Sequence, residues 1–153
     1  METNFNFKSQ ICTTREQSER LIALGLKKET ADMSILYVTH DLSGKEIEPP
    51  LLAEYLCEPM FCEERQTVLF SRQKFIPAWS LHRLIEMMPQ YLYITRDKEE
   101  FFLDINNDGV MYDGVAMKLA LVEFVECGNL YDNIIGCIAY LIKEGYFNKE
   151  YLV

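Results

Sequence analysis

Apolar residues along this chain recur with two different periods, and the switches between them outline the elements. Helical spacing comes first, in ICTTREQSERLIALGL (11–26). Thr13 with Glu16, or Thr14 with Gln17, has the separation of a capping box, which satisfies the first free amides of a helix. Gly25 stands where a left-handed cap ends such a helix, and Leu26 follows as its apolar contact. Leu21, Ile22 and Leu24 are the expected buried members. SILYVTH (34–40) is rich in β-formers and runs into the turn-prone SGK, which predicts a strand and a reversal. Pro49 and Pro50 then precede LLAEYLCEPM; proline at the first helical position sacrifices only an amide that is unpaired anyway, so a short helix is predicted, stopped by Pro59. TVLF (67–70) reads as a short strand.

In PAWSLHRLIEMMP (77–89), Ala78, Leu81, Leu84, Ile85 and Met88 repeat with helical spacing between two prolines. Trp79, His82, Arg83 and Glu86 fall on the opposite side of that helix, leaving the tryptophan among polar neighbours. Two readings follow: Trp79 packs under an adjacent segment, or this face contacts a partner. From Gln90 onward the period shortens, and YLYIT (91–95), EFFLDI (100–105) and VMY (110–112) predict an antiparallel meander. KLALVEFVEC (118–127) fits neither period; the surrounding glycines favour a long strand, with a helix as the alternative. The chain then turns helical again. Asn129 can cap it, Asp132 suits its positive first turn, and Gly145 can stop it. Ile134, Ile135, Cys137, Ile138, Leu141 and Ile142 leave little polar surface between them, so this helix is predicted to be the spine of the core. The expected fold is one α+β domain, an antiparallel sheet of about four strands packed against two or three helices.

Composition bounds the function without naming it. A chain of 153 residues can close one core that buries roughly 70% of its unfolded surface. The net charge of -9 repels phosphate backbones and argues against nucleic acid as a partner. One segment departs from that balance: from Arg65 to Ile85 there is no Asp or Glu, while Arg65, Arg72, Lys74 and Arg83 all fall within it. The longest apolar run, IIGCIAYLI (134–142), is short of the roughly 18–20 residues a spanning helix needs. The N-terminal residues lack the basic and apolar regions of a secretory signal, which predicts a cytoplasmic protein. Five irregularly spaced cysteines suit reduced thiols better than a disulfide framework.

DINNDG (104–109) has the opening rhythm of a calcium loop. Asp104, Asn106, Asp108 and Gly109 match its first requirements, but the position of the bidentate Glu is Val115 and the flanks read as strands. The expectation is therefore a tight hairpin, with Asp104, Asn106 and Asp108 at most a weak cation site. No zinc set, nucleotide-binding glycine motif or nucleophile elbow is present, and Ser80 and His82, two apart on a helix, diverge. No cofactor is implied.

ICTTREQSERLIALGLKKETADM, IPAWSLHRLIEMMP and YDNIIGCIAYLIKEGYF together resemble the motif order of a group of small uncharacterised proteins encoded in prophages and mobile elements of gut anaerobes. The resemblance spans most of the chain apart from about 40–70 and implies a genomic setting, with no catalytic residues. The leading expectation is a non-catalytic accessory protein of a phage or mobile element that binds another protein, with Arg72, Lys74, Trp79, His82 and Arg83 as interaction candidates. One alternative is a nucleic-acid modulator using segment 65–83, in which Phe70, Phe75 and Trp79 stack on bases. Another is a small hydrolase or thiol enzyme built around His40 or His82.

Overall fold

Of the two possible capping boxes, the Thr14–Gln17 pair forms. In the computed structural model, which describes residues 9–59, 72–95, 98–106, 109–115, 120–125 and 129–153, α1 spans Arg15–Ala23. The Thr14 hydroxyl accepts from the Gln17 amide at 3.2 Å, and Gln17 Oε1 accepts from the Thr14 amide at 3.0 Å. At the other end Gly25 takes φ +98°. Its amide donates to Ile22 O and the Leu26 amide to Leu21 O, the bond pair of a Schellman stop. Leu21 and Leu26 are buried, and Ile22 and Leu24 pack partly buried against them.

β1 (Met33–His40) lies at the centre of a three-stranded antiparallel sheet, between β2 (Glu46–Leu56) and β3 (Gln73–Ala78). The reversal after β1 is closed by Asp41, whose Oδ1 accepts from the Ser43 and Lys45 amides. Residues 50–56 therefore correct the sequence reading: they form strand, where a helix begun by Pro50 was expected. The pairing explains it. Leu51 sits across from Val38 and Tyr55 across from Ile35, while the register breaks between Val38 and His40. Pro49 and Pro50 fall in that break on an edge strand, where a missing amide interrupts no ladder. TVLF at 67–70 lies outside the described residues.

A second correction concerns the Pro-bracketed segment. Pro77 and Ala78 belong to β3, paired with Ser34 and Met33, and Trp79 and Ser80 are the two residues between strand and helix. α2 is only Leu81–Met87, capped by Ser80, whose hydroxyl accepts from the Arg83 amide. The C-terminal half of the chain follows the predicted meander. β4 (Tyr91–Ile94), β5 (Glu99–Asn106), β6 (Gly109–Gly114) and β7 (Val122–Phe124) form a four-stranded antiparallel sheet in chain order. In the ambiguous 118–127 segment, β7 covers three residues, Val122–Phe124.

α3 (Leu130–Glu144) packs across β6 and β7 and touches α1 and α2. Asn129 caps its first turn and Gly145, at φ +78°, ends it. Tyr131, Asn133, Ile134, Ile135, Cys137, Ile138 and Leu141 are all buried, and only Lys143 and Glu144 at its end are exposed. The fold is α+β with two antiparallel sheets, and the main core gathers α1, α2, α3 and the four-stranded sheet. A smaller cluster of Cys12, Met33, Ile35, Ile76 and Ala78 seats the root of the three-stranded sheet. No helix among the described residues is long and apolar enough to cross a membrane.

Candidate interaction surface

Trp79 is fully buried, which removes it from the contact face that helical spacing suggested. Its indole Nε1 donates to Thr30 Oγ1 at 3.0 Å, its amide to Thr13 Oγ1 at 3.0 Å, and its carbonyl accepts from the Thr13 amide at 2.9 Å. Of the two readings the sequence leaves open for Trp79, packing under neighbouring segments is the one that holds; the contact face comes from extending the helix through position 79, whereas one residue before the cap the side chain turns inward. Arg83 is tied to its own chain: Nε donates to Thr30 O at 2.8 Å, a terminal nitrogen meets Glu86 at 3.0 Å, and the guanidinium lies 5.9 Å from the Tyr151 ring centre. Of the five interaction candidates, Arg72, Lys74 and His82 are exposed. Arg72 immediately precedes β3, Lys74 lies on it and His82 lies on α2; with Trp79 enclosed, the five residues do not make one exposed face.

The remaining candidates also separate. Arg65 and Phe70 lie outside the described residues, Phe75 is half-buried in β3, and with Trp79 enclosed the proposed base-stacking row is broken. His40 Nδ1 is 2.8 Å from the Thr39 hydroxyl at the end of β1, and His82 stands on the surface of α2. The buried Cys12 thiol is pushed up to about 11 by desolvation, with Asp32 and Cys57 adding to it, and burial pushes Cys137 up to about 12. Thiols held protonated in this way are poor nucleophiles. Asp104 faces Met111 across the β5–β6 ladder, and Asn106 pairs with Gly109, so the strands reverse between those two residues. Asn106 Oδ1 accepts from the Gly109 amide at 3.2 Å. Asp108 lies outside the described residues, and no group of three His, Cys, Asp or Glu side chains placed to hold a metal occurs among those described.

What the sequence reading missed is β2. Only the first three residues of β1 are buried; its last five are half-buried, and none of the eleven residues of β2 is buried. The outer part of the sheet thus holds no buried residue in β1 or β2, although Tyr37 packs on the smaller cluster and lies 5.8 Å from the Arg15 guanidinium of α1. Leu51, Leu52 and Tyr55 are 58%, 49% and 40% exposed. By register Leu52 and Tyr55 share a face with Tyr37 and Ile35, and Leu51 shares the other with Val38. β2 is also an edge strand, paired on one side only among the described residues. Its first half is protected by glutamates and prolines at 46–50, which discourage further pairing. Leu51 to Leu56 carry only Glu54 as a deterrent. A signal for this strand was available: a tight reversal after β1 calls for a return strand, and it outweighs the proline pair.

Compared with models of known protein families, with curated proteins and with solved structures, the chain matches none.

Proposed function

We propose that this chain is a non-catalytic accessory protein, in the setting of a phage or mobile element, whose task is to bind another protein along β2. The observation that carries the reading is a strand of eleven residues, none of them buried, that presents Leu51, Leu52 and Tyr55 beside an edge unpaired among the described residues. Such an edge accepts an extended peptide as an added strand: main-chain hydrogen bonds supply affinity and alternate side chains supply selectivity. Glu46, Glu48, Glu54 and Glu58 surround the apolar positions, so the complementary partner is an extended apolar segment with Lys or Arg on its flanks. The unpaired thiols of Cys12, Cys57 and Cys137 fit work in a reducing cytoplasm.

The test compares the protein with a Leu51→Lys, Leu52→Lys double variant as baits, and then follows amide exchange of β2 in the purified complex. Support requires a partner recovered by the parent and lost by the folded variant, with Leu51 to Leu56 protected in the complex. A partner set unaffected by the two lysines, or a complex in which β2 exchanges as fast as before, would sink the reading. Concentration-dependent dimerisation abolished by the same variant would show a second copy as the occupant.

A further inference from the structure

The last turn of α3 and the end of β4 line a half-open cavity of about 300 Å³. Three tyrosines from distant parts of the chain, Tyr93, Tyr140 and Tyr146, wall it together with Glu144, while Ile94 and Leu121 contribute apolar surface. Among the described residues, none that lines the cavity is a lysine or arginine. From the geometry we infer a binding site for an organic cation, specifically a quaternary ammonium group, held by the tyrosine faces and neutralised by Glu144.

The chemistry of the lining selects that class. Aromatic faces carry negative electrostatic potential and attract a cation whose charge is spread over an apolar shell, and cages of this composition suit quaternary ammonium groups. An inorganic cation would demand a set of oxygen ligands that one carboxylate and scattered hydroxyls do not supply. An apolar ligand would gain nothing from a carboxylate and would pay to desolvate it. The fold adds to the preference: the cavity lies at the C-terminal end of α3, where the helix dipole is negative. Glu100 stands across the ladder from Tyr93. The Tyr140 hydroxyl is pushed up by burial, then by Glu144 and Tyr146, so it stays protonated and its ring neutral across the physiological range. Tyr93 is 59% exposed, which leaves the rim open, where a cluster serving only the core would be closed.

Two sources present this group, a free small molecule such as choline and a trimethylated lysine side chain in a peptide. The experiment titrates the protein with choline chloride, with the neutral carbon isostere of choline, and with a short peptide carrying one trimethyllysine, following tyrosine ring signals by NMR. Choline is expected to shift the ring signals of Tyr93, Tyr140 and Tyr146 saturably and to bind about tenfold tighter than its isostere. Tyr93→Ala and Glu144→Gln, both at exposed positions, should each weaken it by about five- to thirtyfold while leaving the remaining spectrum in place. Binding of the peptide at least as tight as choline assigns the site to a modified protein side chain; binding of choline alone assigns it to a small molecule. Equal affinity for choline and its isostere, or no shift with any cation in the folded protein, overturns the inference.

Discussion

Trp79 ties together three segments far apart in the chain. Through Thr13 it holds the residues that lead into α1, through Thr30 the turn after α1, and through its own place between β3 and α2 it joins the small sheet to the main core. Trp79→Ala should therefore lower stability by about 3–5 kcal/mol, measured by urea unfolding. Trp79→Phe keeps most of the volume but removes the indole donor, so its effect should be smaller, about 1–2 kcal/mol. As the only tryptophan, it should emit to the blue of free indole and resist quenching until the protein unfolds. The cysteines permit a second residue-level prediction. Cys57 is exposed while Cys12 and Cys137 are buried and hold their protons more tightly than free thiols. Among these three, a thiol reagent at neutral pH should modify Cys57 alone. The sign with pH follows from the raised values. The unfolded chain loses its thiol protons first, so stability is unaffected below the unfolded value of 9.0 and falls as pH rises toward about 11 for Cys12 and about 12 for Cys137. The slope is at most about 1.4 kcal/mol per pH unit for each thiol, which alkaline unfolding curves would read.

Elements whose signals are local were legible in the sequence. Thr14 with Gln17 and the Gly25 stop define α1, Asn129 and Gly145 bound α3, and the β4–β5–β6 meander follows the period-two pattern. The losses came where a local signal competed with pairing partners distant in the chain. Pro49 and Pro50 look like a helix start until β1 is known to hold Leu51 to Leu56 as a strand. Trp79 looks helical until β3 claims Pro77 and Ala78. Neither candidate site could be read at all: Leu51 and Tyr55 are ordinary apolar residues until one sees what fails to cover them, and Tyr93, Tyr140 and Tyr146 meet only in the folded chain. Gly109 shows the same dependence on a distant element. The sequence offers it as a turn residue, but a Cβ there would also lie 2.2 Å from the Phe124 carbonyl oxygen of β7. The backbone cannot yield that space without moving β7, whose Phe124 ring also packs on Gly136 of α3. Gly109→Ala should lower stability by about 1–3 kcal/mol or more in thermal or urea unfolding. Gly25→Ala, where nothing lies within 4 Å of the added Cβ, should lose only the left-handed penalty of about 1–2 kcal/mol. A Gly109→Ala variant as stable as the parent would mean that β6 and β7 do not approach this closely.

At the scale of the whole molecule, burial is distributed unequally between the two sheets, and stability should follow it. The four-stranded sheet rests on α3, whose buried residues run from Tyr131 to Leu141, and this assembly holds most of the core. The three-stranded sheet is anchored at one end by Cys12, Met33, Ile35, Ile76 and Ala78, and beyond that point β1 and β2 have few buried neighbours. Backbone hydrogen bonds in the outer part are therefore exposed to water, and opening them sacrifices little buried apolar area. Native-state hydrogen exchange should reveal two levels. Amides of α3, β5 and β6 should exchange only through global unfolding, with a strong dependence on denaturant. Amides of Tyr37 to His40 and their partners in β2 should exchange through local opening, with a weak dependence. Leu141→Ala, which creates a cavity in the main core, should lower the first level by about 2–5 kcal/mol and leave the local opening of the second nearly unchanged. The same inequality bears on binding: an edge that opens easily can adapt to an incoming strand, and the added pairing would then order it. Uniform protection across both sheets in the isolated protein would show that the outer part of β2 is already as firmly held as the core, and would leave no stability for a partner to add there.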